Sequence, residues 1–226
     1  MKPRKLIIPI LFLAIFIALL IAFVIRGGSG NFRDDFDKGI KSQWSPKTPE
    51  KWGLGKEGKN SFYRLKEPGT ADSGVSRPTE YSLIGDRIYT NFTFECKVKC
   101  DVPTYQRYRD VVIIFGYQDD THFYYAHFSN ISDSLHNAIM IVNGDYRRKL
   151  SAGIPEPTLT DLEFHQVKVK RDIKSGDIEA YFDGKLVMKA QDMTFTAGKV
   201  GLGSFDDVAS FDDVRVEGDV LKGDNG

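Results

Sequence analysis

Between Arg109 and Asn143 the chain reads RDVVIIFGYQDDTHFYYAHFSNISDSLHNAIMIVN, and this stretch sets the tightest limit on the fold. Three runs, 111–117, 122–128 and 138–142, are rich in Val, Ile, Phe and Tyr. Branched and flat side chains of this kind fit a pleated surface. Turn-prone residues, QDD at 118–120 and SNISDS at 129–134, separate the runs. Within each run, odd and even positions are alike apolar. Successive strand side chains point to opposite faces, so such a run suits a strand covered on both sides. The three runs are expected as neighbouring central strands of one sheet.

The remaining chain repeats the same grammar with more polar faces. Residues 92–100, FTFECKVKC, alternate with a period of two, which sends Phe92, Phe94, Cys96, Val98 and Cys100 to one side. Cys96 and Cys100 are then roughly 13 Å apart along a strand, too far for a disulfide. They read as small apolar core residues. FHQVKVKR at 164–171 alternates too, and Asn143-Gly144 and Asp183-Gly184 are tight-turn signals. In all, about twelve to fourteen short strands are expected, with no helical pattern beyond the N-terminus. The fold class is all-β: a jelly-roll sandwich of two antiparallel sheets, preceded by a transmembrane helix.

That helix is expected at 6–25, an uncharged apolar stretch long enough to cross a bilayer. The alternative is a cleaved signal peptide, although such peptides have a shorter apolar core. Lys2, Arg4 and Lys5 precede the segment and Arg26 follows it. The positive-inside rule then places the N-terminus in the cytoplasm and the domain in the periplasm or outside the cell, on a single-pass membrane protein. The expected organisation is an anchor over 1–26, a linker over 27–30, a β-sandwich over 31–218 and a polar tail over 219–226. Of the 31 basic residues four flank the anchor, so the rest of the chain is mildly acidic against 31 Asp and Glu. With no basic run beyond Arg147-Arg148-Lys149, no nucleic-acid partner is expected.

The order of features in the final third is distinctive: HQVKVKRD, then GDIEAYFDGKLVMKA, then GKVGLGSFDDVASFDDVRVEG, with FRDDFD near the N-terminus. It resembles the concanavalin A-like lectin/glucanase superfamily, and within it the laminin-G-like and keto-disaccharide hydrolase-type domains. Phe164 stands where Trp is usual in that pattern, and Asp213 where Asn is usual. The resemblance spans most of 31–218 and is carried by strand and turn residues. It implies a sandwich whose concave face or rim binds glycans, in some relatives as an enzyme and in many as a binder.

The retaining glucanases of that superfamily carry ExDxxE on one strand, and no such motif is present. There is also no GxSxG elbow, HExxH or phosphate loop. An enzyme is neither assigned nor excluded. In HFYYAHF, Tyr125 and His127 share one face and offer a ring beside an imidazole. His136 and Asn137 open the next run, Asn143 closes it, and Arg109 leads into the first. Arg109, Tyr125, His127, His136, Asn137 and Asn143 are the candidate ligand-binding residues, suited to a poly- or oligosaccharide. Taken singly, His127 reads as a core histidine, and Asn137 and Asn143 as turn residues; taken together, the set reads as a ligand surface. His122 and His127 point to opposite faces, which argues against zinc. Asp34-Asp35, Asp206-Asp207 and Asp212-Asp213 read as turns, so no metal or cofactor is expected. The expected function is a membrane-anchored, extracytoplasmic, lectin-like domain; the alternatives are a glycan-active hydrolase and a protein-binding module.

Overall fold

The computed structural model describes residues 28–70 and 76–221. In chain order the strands are β1 (Gly28–Ser29), β2 (Phe32–Asp34), β3 (Trp44–Pro46), β4 (Trp52–Glu57), β5 (Asn60–Leu65), β6 (Glu80–Ile84), β7 (Tyr89–Cys100), β8 (Asp110–Asp119), β9 (His122–Ser129), β10 (Ala138–Asn143), β11 (Arg148–Lys149), β12 (His165–Arg171), β13 (Asp177–Phe182), β14 (Lys185–Gln191), β15 (Lys199–Ser204) and β16 (Ala209–Val220). A 3-10 turn, Pro49–Lys51, precedes β4.

The strands form two sheets. The nine-stranded sheet runs β14-β13-β12-β7-β16-β5-β4, with β1 and β2 also paired to β16; the seven-stranded sheet runs β11-β10-β9-β8-β15-β6-β3. Every pairing between these strands is antiparallel. This is the expected all-β sandwich, and β8, β9 and β10 are neighbours in one sheet.

The double-sided runs have the expected cause. Val111, Ile113, Phe115, Tyr124, Ala126, Phe128, Ile139 and Ile141 join the core between the sheets, where they meet Phe94, Val98, Val167 and Phe211. The intervening residues Val112, Ile114, Phe123, Tyr125, Ala138, Met140 and Val142 form a second cluster with Tyr81 and Leu83 on the outer face of the seven-stranded sheet. β7 alternates as its sequence requires, and Cys96 and Cys100 are both free and buried. Burial raises both thiol pKa values, that of Cys100 to about 12.

β15 threads between β6 and β8 with glycine at alternate positions. A Cβ on Gly203 would lie 2.3 Å from the Glu80 carbonyl oxygen, and one on Gly201 would lie 2.2 Å from that of Ser82. Both contacts are with backbone, so glycine here sets how closely β15 and β6 approach.

The anchor over 6–25 lies outside the described residues, and no helix among the described residues is long and apolar enough to cross a membrane. Gly28 and Ser29, expected in a linker, pair with Val220 and Asp219, expected in a tail, so the sheet extends past position 218. Ladder bonds come from the backbone, so a Gly-Ser segment can pair without any side-chain pattern to announce it. Beyond the Asn143-Gly144 turn the next strand is only two residues long, Arg148–Lys149.

Candidate functional site

At one end of the seven-stranded sheet β8 begins, β9 and β15 end, and β10 begins. The loops 101–109, 130–137 and 205–208 meet there. Arg109 holds this end together from within. Its guanidinium is fully buried and donates to the carbonyls of Leu159 (2.6 Å), Cys100 (2.9 Å) and Asp161 (2.5 Å). A buried charge needs such partners. Arg171 makes the same kind of staple with the carbonyls of Gly176 (2.6 Å), Asp192 (2.7 Å) and Phe195 (3.3 Å). Arg109, expected to contact a ligand, has its two terminal nitrogens turned onto backbone carbonyls.

Asn137 is likewise structural. It is buried with φ +50°, and its side-chain amide makes five hydrogen bonds. Nδ2 donates to the carbonyls of Ser129 and Ile131 and to Ser132 Oγ, while Oδ1 accepts from Ser129 N–H and Thr158 Oγ. Asn tolerates the left-handed region and can mimic backbone, which explains its choice at this turn.

Tyr125 and His127 do share the outer face, but both are buried. Val112, Ile114 and Met140, from the same face, are fully buried as well. The middle of this face is therefore an apolar cluster, not an open polar groove. Tyr125 Oη accepts from Arg147 Nη1 at 3.4 Å, and burial raises its phenol pKa. Asn143 is exposed and pairs in register with His122, while His127 pairs with Ala138. These two ends of β9 lie about 17 Å apart at normal strand rise. Asn143 is thus not part of the same site.

Around His127 the rings form a continuous strip. Its imidazole stacks on Phe205 (centroids 5.0 Å, planes 26° apart) and touches His136 (5.0 Å, 46°). His136 in turn stacks on Tyr108 (5.0 Å, 25°). Arg147 caps Phe205 at 4.7 Å, and Arg107 caps Tyr108 at 5.2 Å. Tyr108 is 45% exposed and sits at φ +65°, a strained position for a bulky residue. His136 is half-buried with Nδ1 2.8 Å from Asp133 Oδ1. Burial, then the neighbouring His127, lowers the pKa of His136.

Carboxylates close the inner edge. Oxygen atoms of Asp110, Asp206 and Asp207 lie within 4.8 Å of one another. Asp110 Oδ1 accepts from Ser204 Oγ (2.8 Å) and from Phe205 N–H (3.0 Å). Asp207 Oδ2 accepts from Asp110 N–H (2.7 Å), and its Oδ1 from Gln106 Nε2 (3.1 Å). Burial, with Asp110 next, pushes the Asp207 carboxyl up to about 7 and also raises Asp206. Asp34, by contrast, is a turn acid: it accepts from Phe36 N–H, Lys41 N–H and Trp44 Nε1.

Of the six candidates, only His136 and His127 lie on the ring strip, with Tyr125 beside them, and Arg109 and Asn137 brace it. The sequence reading missed Tyr108, Phe205 and Asp206 as members of one site. Tyr105, Arg107 and Tyr108 give their loop an aromatic and basic character that is visible in the sequence. The contact between that loop and 205–207 is made only by the fold.

No family model matches the chain, and no curated protein matches it. Solved structures do. A carbohydrate-binding module, CBM66, from Bacillus subtilis is 16% identical, over 77% of this chain and 95% of that one, with a TM-score of 0.56. A GH43 protein, BlXynB, from Bacillus licheniformis is 13% identical with a TM-score of 0.60; the match covers 82% of this chain but only 39% of that one. A lectin from Bauhinia forficata, in complex with GalNAc, is 9% identical, over 86% of this chain and all of that one, with a TM-score of 0.55. At these identities the likeness shows a shared fold, the concanavalin A-like sandwich, in agreement with the resemblance in the sequence.

Proposed function

We propose that the chain is a carbohydrate-binding, lectin-like domain whose ligand sits on the rim around Tyr108 and His136. The observation that carries this reading is the Tyr108 ring: nearly half exposed, held at positive φ and stacked on an imidazole. A flat ring suits the apolar face of a pyranose, and adjacent imidazole, carboxylate and guanidinium groups suit its hydroxyls. Tyr105, 87% exposed in the same loop, can extend the platform. The sandwiches described above as a carbohydrate-binding module and a lectin with GalNAc support the ligand class. The apolar segment 6–25 supports a membrane-anchored, extracytoplasmic placement.

A second reading, a glycan-active hydrolase, has one observation in its favour. The Asp207 carboxyl is pushed up to about 7 beside two further carboxylates, as a general acid would require.

The test is a glycan array probed with the full chain in detergent, beside the variant Tyr108→Gly, with array ligands recovered for mass spectrometry. Hits that fall at least tenfold in the variant, with ligands intact, support the binder. Cleaved ligands favour the hydrolase. No hits and no cleavage with a folded protein reject both and leave the protein-binding module.

A further inference from the structure

We propose that the carbohydrate rim faces away from the membrane. It then takes sugar chains that reach it from outside, not the headgroups of glycolipids in its own bilayer. The inference rests on the anchored, carbohydrate-binding reading above and adds an orientation to it.

The chain enters the fold at a tightly held point. Gly28 and Ser29 pair with Val220 and Asp219. Gly30 N–H donates to the Gly218 carbonyl (2.8 Å), and the Gly30 carbonyl accepts from Tyr89 Oη (2.7 Å). A Cβ on Gly30 would lie 2.3 Å from Val220 Cγ1 and 2.9 Å from the Tyr89 ring, so the entry is closely packed. Only Arg26 and Gly27 separate this point from Ile25, the last residue of the apolar segment. The steps from Ile25 to Gly28 reach about 10 Å at most.

Strand direction then decides which end of the sandwich meets the bilayer. β1 runs antiparallel to β16, so the chain traced back from Ser29 to Gly28 leaves past Val220. Val220 pairs with Tyr89 at one end of the β7–β16 ladder, and Ala209 pairs with Cys100 at the other. The rim belongs to the Cys100 end, where Arg109 Nη2 donates to the Cys100 carbonyl and Asp101 N–H to that of Val208. β16 is 12 residues long, which puts the two ends about 35 Å apart at normal strand rise. The Tyr89 end carries the turns 85–88, 172–176 and 192–198. Ile173 N–H donates there to Asn91 Oδ1 (2.9 Å), and Tyr89 N–H to the Gly198 carbonyl (2.9 Å).

The short link excludes the postures that would bring the rim to the bilayer. Standing on its rim, the sandwich would hold Gly28 about 35 Å from the lipid, beyond a reach of about 10 Å. Lying on its β14 edge, it would hold β16 four strands up, at about 19 Å. Lying on the outer face of the seven-stranded sheet, it would hold Gly28 in the upper sheet. That sheet is about 10 Å higher before the side chains of the lower face are counted.

The test reconstitutes the full chain in phosphatidylcholine vesicles that carry a headgroup spin-label quencher in both leaflets. One fluorophore sits either at Tyr105→Cys, in the rim loop, or at Lys174→Cys, exposed in the turn 172–176. Cys96 and Cys100 are buried and stay unlabelled in the folded protein. The label at position 174 is expected to be quenched at least threefold more than the label at position 105. A 30-residue Gly-Ser insert after Gly27, with a root-mean-square reach of about 30 Å, is expected to erase the difference. Equal or stronger quenching at position 105 without the insert overturns the orientation. A chain that fails to float with the vesicles overturns the anchor, and the orientation with it. The strongest glycan from the array, coupled to a lipid in the same vesicles, is expected to be bound only by the chain with the insert. Binding by the native-length chain overturns the proposed choice of ligand. An array without hits overturns the carbohydrate reading, while the quenching still decides the orientation.

Discussion

Tyr108 lies almost parallel to His136, their ring centroids 5.0 Å apart, on a backbone turned to φ +65°. The left-handed region costs a non-glycine residue about 1–2 kcal/mol, and a stacked pair returns about 0.5–1.5 kcal/mol. The two nearly cancel. Tyr108→Gly is therefore expected to change stability by about 1 kcal/mol or less, while glycan affinity falls at least tenfold. Urea unfolding and array binding on the same protein read both quantities. A large loss of stability with binding intact would show the ring to be a structural prop.

Asn137 has the opposite profile. Removing its amide leaves Ser129 N–H and the Ile131 carbonyl short of partners in a largely buried turn. Asn137→Ala is expected to lower stability by about 2–4 kcal/mol. Chemical denaturation checks this through the midpoint at constant slope.

His165 should give the protein a pH-dependent component of stability. Its Nδ1 is 2.8 Å from Asp183 Oδ2, and its Nε2 is 2.8 Å from Asp161 Oδ1. Burial disfavours the charged ring, but the two carboxylates, Asp183 ahead of Asp161, outweigh it and hold the pKa above 6.5. A histidine with a raised folded pKa contributes stability that is fully present below its unfolded pKa. That contribution is lost as pH rises through the folded value. Unfolding midpoints are expected to fall as pH rises above about 6.5 from this group, and less so in His165→Gln. NMR titration of the ring locates the folded pKa.

Gly203 tests the packing of β15 against β6. A methyl group there meets the Glu80 carbonyl oxygen at 2.3 Å, and that backbone cannot yield as a side-chain tip can. Gly203→Ala is expected to cost about 1–3 kcal/mol, read as a drop in thermal midpoint. An unchanged midpoint would mean that β15 and β6 separate easily.

The fold was more legible than the site, for reasons visible in single residues. Double-sided apolar runs report burial directly, so β8, β9 and β10 could be placed side by side from composition alone. Alternation in β7 likewise fixed the facing of Cys96 and Cys100. Arg109 carries no such signal. Its acceptors Leu159 and Asp161 lie 50 and 52 positions away, and they are carbonyls, which every residue possesses. Asp110 and Asp207 meet across 97 positions for the same reason. Tyr125 and His127 were assigned to the correct face, but a face does not disclose its depth. The neighbours that bury them come from β8, β10 and the loop at Phe205 together.

The buried thiols of β7 carry one last consequence. β7 lies in the middle of the nine-stranded sheet, between β12 and β16, with no disulfide to hold it. A thiol with its pKa raised by burial reacts with alkylating reagents only after the strand is released to water. The labelling time course of Cys96 and Cys100 is thus a built-in gauge of how often the sheet parts at its centre. Compared with the global unfolding free energy, it tells whether the sandwich opens there as one cooperative unit or in pieces.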